Sequence, residues 1–139
     1  SAVYGARAYL DQRGYDLSFD QHDWIGLDET LAHLPEYPWL ERHARPERIV
    51  LRLNNLLHKI ELVKDGHGIA PLLCFLAERE PTLIRLTEPN PQFDTDIWLL
   101  SHPDLRQVAR IRVFNDFIVS HAKADPLLQG KLSKPLHRG

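Results

Sequence analysis

Two successive asparagines, Asn54 and Asn55, stand between an alternating apolar stretch and a helical one, and they carry the sharpest chemical possibility in the chain. A helix that starts there leaves its first backbone N–H groups without intrahelical partners. The positive end of the helix dipole adds to them, and the combination suits a carboxylate or a phosphate. Asparagine is also a good N-cap, so the same pair reads equally as capping, and the two roles are compatible. A second candidate is Asp28-Glu29-Thr30, directly after the apolar run Trp24–Leu27. Loops leaving the carboxyl end of a strand are where α/β proteins bind ligands, and Thr30 can donate a hydrogen bond there. The plain alternative is a solvated turn.

Other residue types point away from chemistry. Gly66-His67-Gly68 lacks the glycine spacing and the Lys-Ser/Thr of a phosphate loop and reads as a helix stop. The eight histidines, at positions 22, 33, 43, 58, 67, 102, 121 and 137, form no H-x-x-x-H or HExxH pair, so no metal is expected. Ser18, Ser101 and Ser120 lie outside any G-x-S-x-G elbow, and neither a catalytic constellation nor a cofactor site emerges. Cys74, inside LLCFLA, reads as a small core hydrophobe. As the single cysteine it can form no internal disulfide, which fits a reducing cytoplasm. Arg106, Arg110 and Arg112 read as the solvated face of an amphipathic helix.

The elements that must position these residues follow from periodicity and turn chemistry. Strands are expected at Val3-Tyr4, Trp24–Leu27, 48–53, Ile69-Ala70, 83–87 and 96–101. Helices are expected at 5–13 with Gly14 as stop, at 38–44 with Trp39 and Leu40 inward, and from Asn54-Asn55 to Asp65 with Leu56, Ile60 and Val63 on one face. Residues 30–38 read as a loop, because Pro35 and Pro38 oppose regular structure. Residues 71–80 read as a turn or short helix, and 88–94, with Pro89 and Pro91, as a connector. A last helix is expected from Pro103-Asp104 to His121, with Leu105, Val108, Ile111, Phe114 and Ile118 as its apolar stripe, widened by Val113 and Phe117. Strands alternating with helices indicate an α/β architecture.

Composition narrows the classes. The chain has 139 residues, 43% of them hydrophobic, which suits one globular domain or a large piece of one. No apolar run approaches the roughly 20 residues needed to span a bilayer. No signal peptide opens the chain. It begins at Ser1 and contains no methionine, the expected appearance of a processed piece. Lys and Arg total 17 against 19 Asp and Glu, whereas DNA-binding domains present a basic surface.

Two blocks, residues 48–86 (RIVLRLNNLLHKIELVKDGHGIAPLLCFLAEREPTLIRL) and 94–118 (DTDIWLLSHPDLRQVARIRVFNDFI), together with AVYGARAYL and DWIGLDETLAHLPEYPWL, resemble the C-terminal part of the effector domain of LysR-type transcriptional regulators. The GxGIAxL block and a strand ending in His-Pro-Asp-Leu before an Arg-rich helix carry the likeness, which is collinear over roughly residues 2–120. Pro71 departs from the family, whose proline usually comes slightly later.

The resemblance implies a type 2 periplasmic-binding-protein-like fold of two α/β subdomains around an effector cleft. Residues 1–87 would be the second subdomain, 88–95 a crossover, 96–122 the returning strand and helix of the first subdomain, and 123–139 a polar tail. It further implies a small-molecule effector, probed by Leu53, Asn54, Asn55, Asp28 and Thr30. It implies a homo-oligomer, dimer or tetramer, and contact with DNA through an N-terminal domain that this chain lacks. No membrane partner is implied. A fragment of a stand-alone periplasmic solute-binding protein is the alternative; an α/β enzyme finds no support in the residues.

The acidic balance predicts that the 139-residue chain binds no DNA sequence selectively. A gel shift showing tight binding that discriminates between duplexes would refute this.

Overall fold

The computed structural model describes residues 1–15, 18–94, 96–105, 107–129 and 132. They fall into two compact units, one comprising residues 1–94 and the other the described residues from 96 onward.

The first unit is built on a five-stranded sheet. Its strands are β1 (Ala2–Ala6), β2 (Trp24–Leu27), β3 (Ile49–Leu53), β4 (Ile69–Leu72) and β5 (Leu83–Arg85), in the order β3-β2-β4-β1-β5. β2 pairs in parallel with β3 and with β4, while β1 pairs antiparallel with β4 and β5. Parallel neighbours need crossovers. These are α2 (Glu36–His43), between β2 and β3, and α3 (Leu56–Lys64), between β3 and β4. The chain therefore steps outward from β2 to the edge strand β3 and returns past β2 to β4. Right-handed crossovers in opposite directions put α2 and α3 on opposite faces of the sheet.

Packing follows from residue size at facing positions. Trp24 and Gly26 point to one face of β2, and there Trp39 and Leu40 of α2 close over them. A Cβ on Gly26 would come within 2.7 Å of Leu40 Cδ2, so the helix sits tightly because that position has no side chain. Phe19 and Phe93 flank the two tryptophans edge-on, and the buried Trp24 Nε1 donates to the Phe19 carbonyl at 2.7 Å. Leu10 of α1 (Arg7–Arg13) covers Gly5 on β1. As an edge strand, β3 leaves Val50 and Leu51 exposed.

Several boundaries differ from the sequence reading. Pro38 lies inside α2, whose N-cap is Pro35; in a first turn proline has no intrahelical N–H bond to lose. Pro71 belongs to β4 rather than to the turn that follows. It sits opposite Val3, whose N–H donates to Thr87 Oγ1 and whose carbonyl accepts from Leu86. The Val3–Pro71 pair therefore exchanges no ladder bond; the Pro71 nitrogen, like the Ile69 N–H two residues earlier, faces β2, and the pairing of β4 with β2 stops at Ile69 opposite Trp24. The helix after β4 shrinks to α4 (Cys74–Ala77).

α3 ends as expected. Gly66, at φ +80°, donates to the Val63 carbonyl, and His67 donates to Leu62, the Schellman arrangement.

The second unit holds a 3-10 turn at Pro103–Leu105 and α5 (Ala109–Ala124), a later start than Pro103. The strand expected at 96–101 does not form among the described residues: 96–101 is irregular, and Ile97, Trp98, Leu99 and Leu100 are exposed. A strand needs a ladder partner, and all five strands lie in the first unit. None of the residues of α5 is buried, and Val113, Phe114 and Phe117 face solvent, because a single helix has no second layer against which to bury a stripe. Arg106 and most of the expected polar tail, including residues 133–139, lie outside the described residues.

The tightest glycine is Gly68, where a Cβ would meet the Asp23 carbonyl oxygen at 2.5 Å, beside the Ile69 N–H to Asp23 bond that joins β4 to β2. Gly68→Ala should lower stability by about 1–3 kcal/mol, the usual cost of overpacking. A wild-type urea midpoint would refute it.

Candidate functional site

The residues singled out in the sequence come from two loops that the sheet sets side by side. β2 and β3 are parallel and adjacent, with Leu27 paired to Leu53, so both strands end at the same edge. The Asp28 N–H donates to the Leu53 carbonyl at 3.0 Å, which carries the ladder one step into the loops. Adjacent strands whose following helices go to opposite faces leave a crevice between their carboxyl ends, the usual ligand position of open α/β sheets. Asp28 and Thr30 line one side of that edge, and Leu53, Asn54 and Asn55 the other.

Each loop is internally organised. Asn55 is the N-cap of α3; its Oδ1 accepts from the N–H groups of Leu57 and His58 at 2.9 and 3.1 Å. The cap therefore takes up two of the helix's first N–H groups, and the Nδ2 amide of Asn55 stays outside it. Asn54 is exposed and is not the cap residue. On the other side, Asp28 Oδ1 accepts from both the N–H and the hydroxyl of Thr30. The Thr30 hydrogen expected to reach a ligand is thus used within the turn, and the hydroxyl offers lone pairs instead.

Four charged residues that the sequence reading passed over link β3 and α3 to α2, the elements that flank the two loops. Arg52 of β3 donates from Nη1 to the Leu27 carbonyl and from Nη2 to Glu41 of α2, with its guanidinium over the Tyr37 ring. Lys59, one turn into α3, forms an ion pair with Glu36 at the start of α2. The Lys59 side chain is 2% exposed and that of Glu36 14%. Burial pushes the Lys59 ammonium down and the Glu36 carboxyl up, each against the opposing pull of its partner. One signal for Lys59 was present in the sequence: it lies at i+3 from Leu56 and i−4 from Val63, inside the apolar stripe of α3.

A second buried polar cluster lies toward the other edge of the sheet. Tyr4 Oη donates to Glu78 Oε1 at 3.0 Å, and Arg85 Nε lies 3.0 Å from the same oxygen. Burial pushes the Tyr4 phenol up. Among the histidines, His43 stacks on Trp39 and bonds that residue's carbonyl, and His121 bonds the Phe117 carbonyl. Among the described residues, no three His, Cys, Asp or Glu side chains gather as a metal site.

Residues 16–123 match the family model of the LysR substrate binding domain. No curated protein and no solved structure gives a significant match to the chain.

Removing one partner of a buried ion pair leaves the other charge uncompensated. Lys59→Met should therefore cost about 3–5 kcal/mol. The pH dependence has a definite sign. A carboxyl whose folded-state pKa is raised contributes stability at low pH that is lost as pH rises through that pKa. Without Lys59 the Glu36 carboxyl rises further, so the deficit of the variant should shrink as pH falls from 8 toward 5. Chemical denaturation at both values measures it, and an equal deficit at the two would contradict the assignment.

Proposed function

The chain belongs to the LysR substrate-binding family, and from that premise we propose that its effector contacts the adjoining carboxyl ends of β2 and β3. It is an effector-binding domain of a transcriptional regulator, with the periplasmic-binding-protein-like fold of that family. Small-molecule effectors and oligomerisation come with the family; a dimer or tetramer is the assembly we propose for this member. The stand-alone solute-binding alternative is not favoured by the match. No helix of the described residues is long and apolar enough to cross a membrane, and we place the regulator in the cytoplasm, acting on DNA through a separate N-terminal domain.

The observation that carries the site is the bond from the Asp28 N–H to the Leu53 carbonyl, which holds the two candidate loops together where the crossovers diverge. The two sides differ in charge. On the α3 side, the helix dipole and the amide groups of Asn54 and Asn55 favour an anionic or strongly polar group. On the β2 side, the Asp28 carboxylate and the Thr30 lone pairs favour a hydrogen-bond donor. The effector we propose is a small molecule with a carboxylate or similar anion at one end and a hydroxyl or amine at the other. Binding shifts the population between two arrangements of the regulator, and the DNA-binding domains follow.

The two asparagines separate binding from capping. Asn55→Ala should lower stability by about 1 kcal/mol through loss of the cap. Asn54→Ala should leave stability unchanged, since Asn54 is not the cap. In calorimetric titration with a panel of small hydroxy- and aminocarboxylates, each substitution should weaken the best binder about tenfold, the value of one hydrogen bond to a charged group. Wild-type affinity in both folded variants would reduce the asparagines to a cap and a loop residue.

A further inference from the structure

We propose that Glu36 and Lys59 are positioning residues of the effector site: their buried ion pair clamps the Asp28–Thr30 loop and the N-terminus of α3 at one fixed spacing. This rests on the site reading above and adds what holds the site in register. The pair joins the two loop-helix units away from the strand ladder. Glu36 begins α2, eight residues after Asp28, and Lys59 lies four residues after the cap Asn55. Because α2 and α3 lie on opposite faces, a bond between their first turns crosses the carboxyl edge of the parallel strands. The loop after β2 is thereby anchored at both ends, by the Asp28 N–H to Leu53 bond and by Glu36. The N-terminus of α3 is anchored by the Leu53 end of β3 and by Lys59.

Two further facts set this pair apart from ordinary surface charge. The more exposed Arg52–Glu41 pair joins the same two units from β3, and its side chains are 34% and 40% exposed. Water competes there, so that pair holds the units weakly. The Lys59–Glu36 pair is shielded, and an apolar residue at position 59 would satisfy the stripe of α3 at lower desolvation cost. A directional bond that costs desolvation is useful where the relative placement of two loops matters more than total stability.

Amide hydrogen exchange of the 139-residue chain tests the clamp without any ligand. The amides to follow are Thr30 in one loop and Leu57 and His58 in the other, with Leu86, bonded to Val3 on β1, as the distant reference. In Glu36→Gln and Lys59→Met, exchange at Thr30, Leu57 and His58 should accelerate about tenfold relative to Leu86. Arg52→Gln should change them little. The exchanged pair, Glu36→Lys with Lys59→Glu, should restore protection in both loops. The apolar pair, Glu36→Leu with Lys59→Met, should fold but leave the loops fast, which keeps the idea testable if the single variants unfold. Acceleration at Leu86 equal to that in the loops would make the pair a general stabiliser and overturn the proposal. So would loop exchange unchanged in folded variants. Acetate, titrated as an anionic probe against the amides of residues 56–58 of the wild type, judges the site reading separately. If acetate shifts those amides while exchange stays unchanged in the variants, the clamp fails and the site stands. If exchange behaves as expected and acetate leaves the amides unmoved, the clamp stands without the anion site.

Discussion

Every feature of the candidate site depends on the parallel pairing of β2 with β3 on one side and β4 on the other. Parallel strands cannot be joined by a hairpin, so the chain must cross over twice, once outward and once back. Right-handed crossovers in opposite directions send the two connecting helices to opposite faces. The loops that leave β2 and β3 must then part at the same edge, and a gap lined by turn residues is the geometric consequence. The β2 strand is fully buried and can occupy this central position because it presents Trp24 and Gly26 to one helix and Ile25 and Leu27 to the opposite face.

The same constraint explains where the polar groups went. Two loops that part from one edge have few backbone bonds to each other beyond the end of the ladder, and here the ladder's last contribution is the Asp28 N–H to Leu53 bond. Side chains supply the remaining connections, and they are charged: Arg52 to Glu41 and the Leu27 carbonyl, and Lys59 to Glu36. Burial makes the second of these costly to hold and costly to break.

The second unit differs in kind. Its helix α5 carries an amphipathic pattern, yet none of its residues is buried, and the apolar residues 97–100 form no ladder. Pattern states which face could be covered; it takes a second layer to cover it.

Much of this was legible in the sequence. The alternation of strand and helix, a cap at Asn54-Asn55, the stop at Gly66 and the inward pair Trp39-Leu40 are local events, decided by neighbours within a few residues, and so local pattern found them, while the structure chose Asn55 of the two asparagines. The family likeness also lay in the sequence, in the order and spacing of blocks over most of the chain. What the sequence could not decide were the relations between distant segments. Pro71 is acceptable in β4 because its nitrogen faces β2 beyond the single pair, Trp24 with Ile69, that joins those two strands. Lys59 is a solvated lysine by composition and a buried one only because Glu36, 23 residues earlier, arrives beside it. The Thr30 hydrogen is spent on Asp28 once the turn closes. Residues 96–101 have strand composition and are irregular among the described residues. Propensity and periodicity are properties of a segment, whereas pairing, burial and the fate of a hydrogen bond are properties of two segments at once, and only the tertiary structure brings the second one.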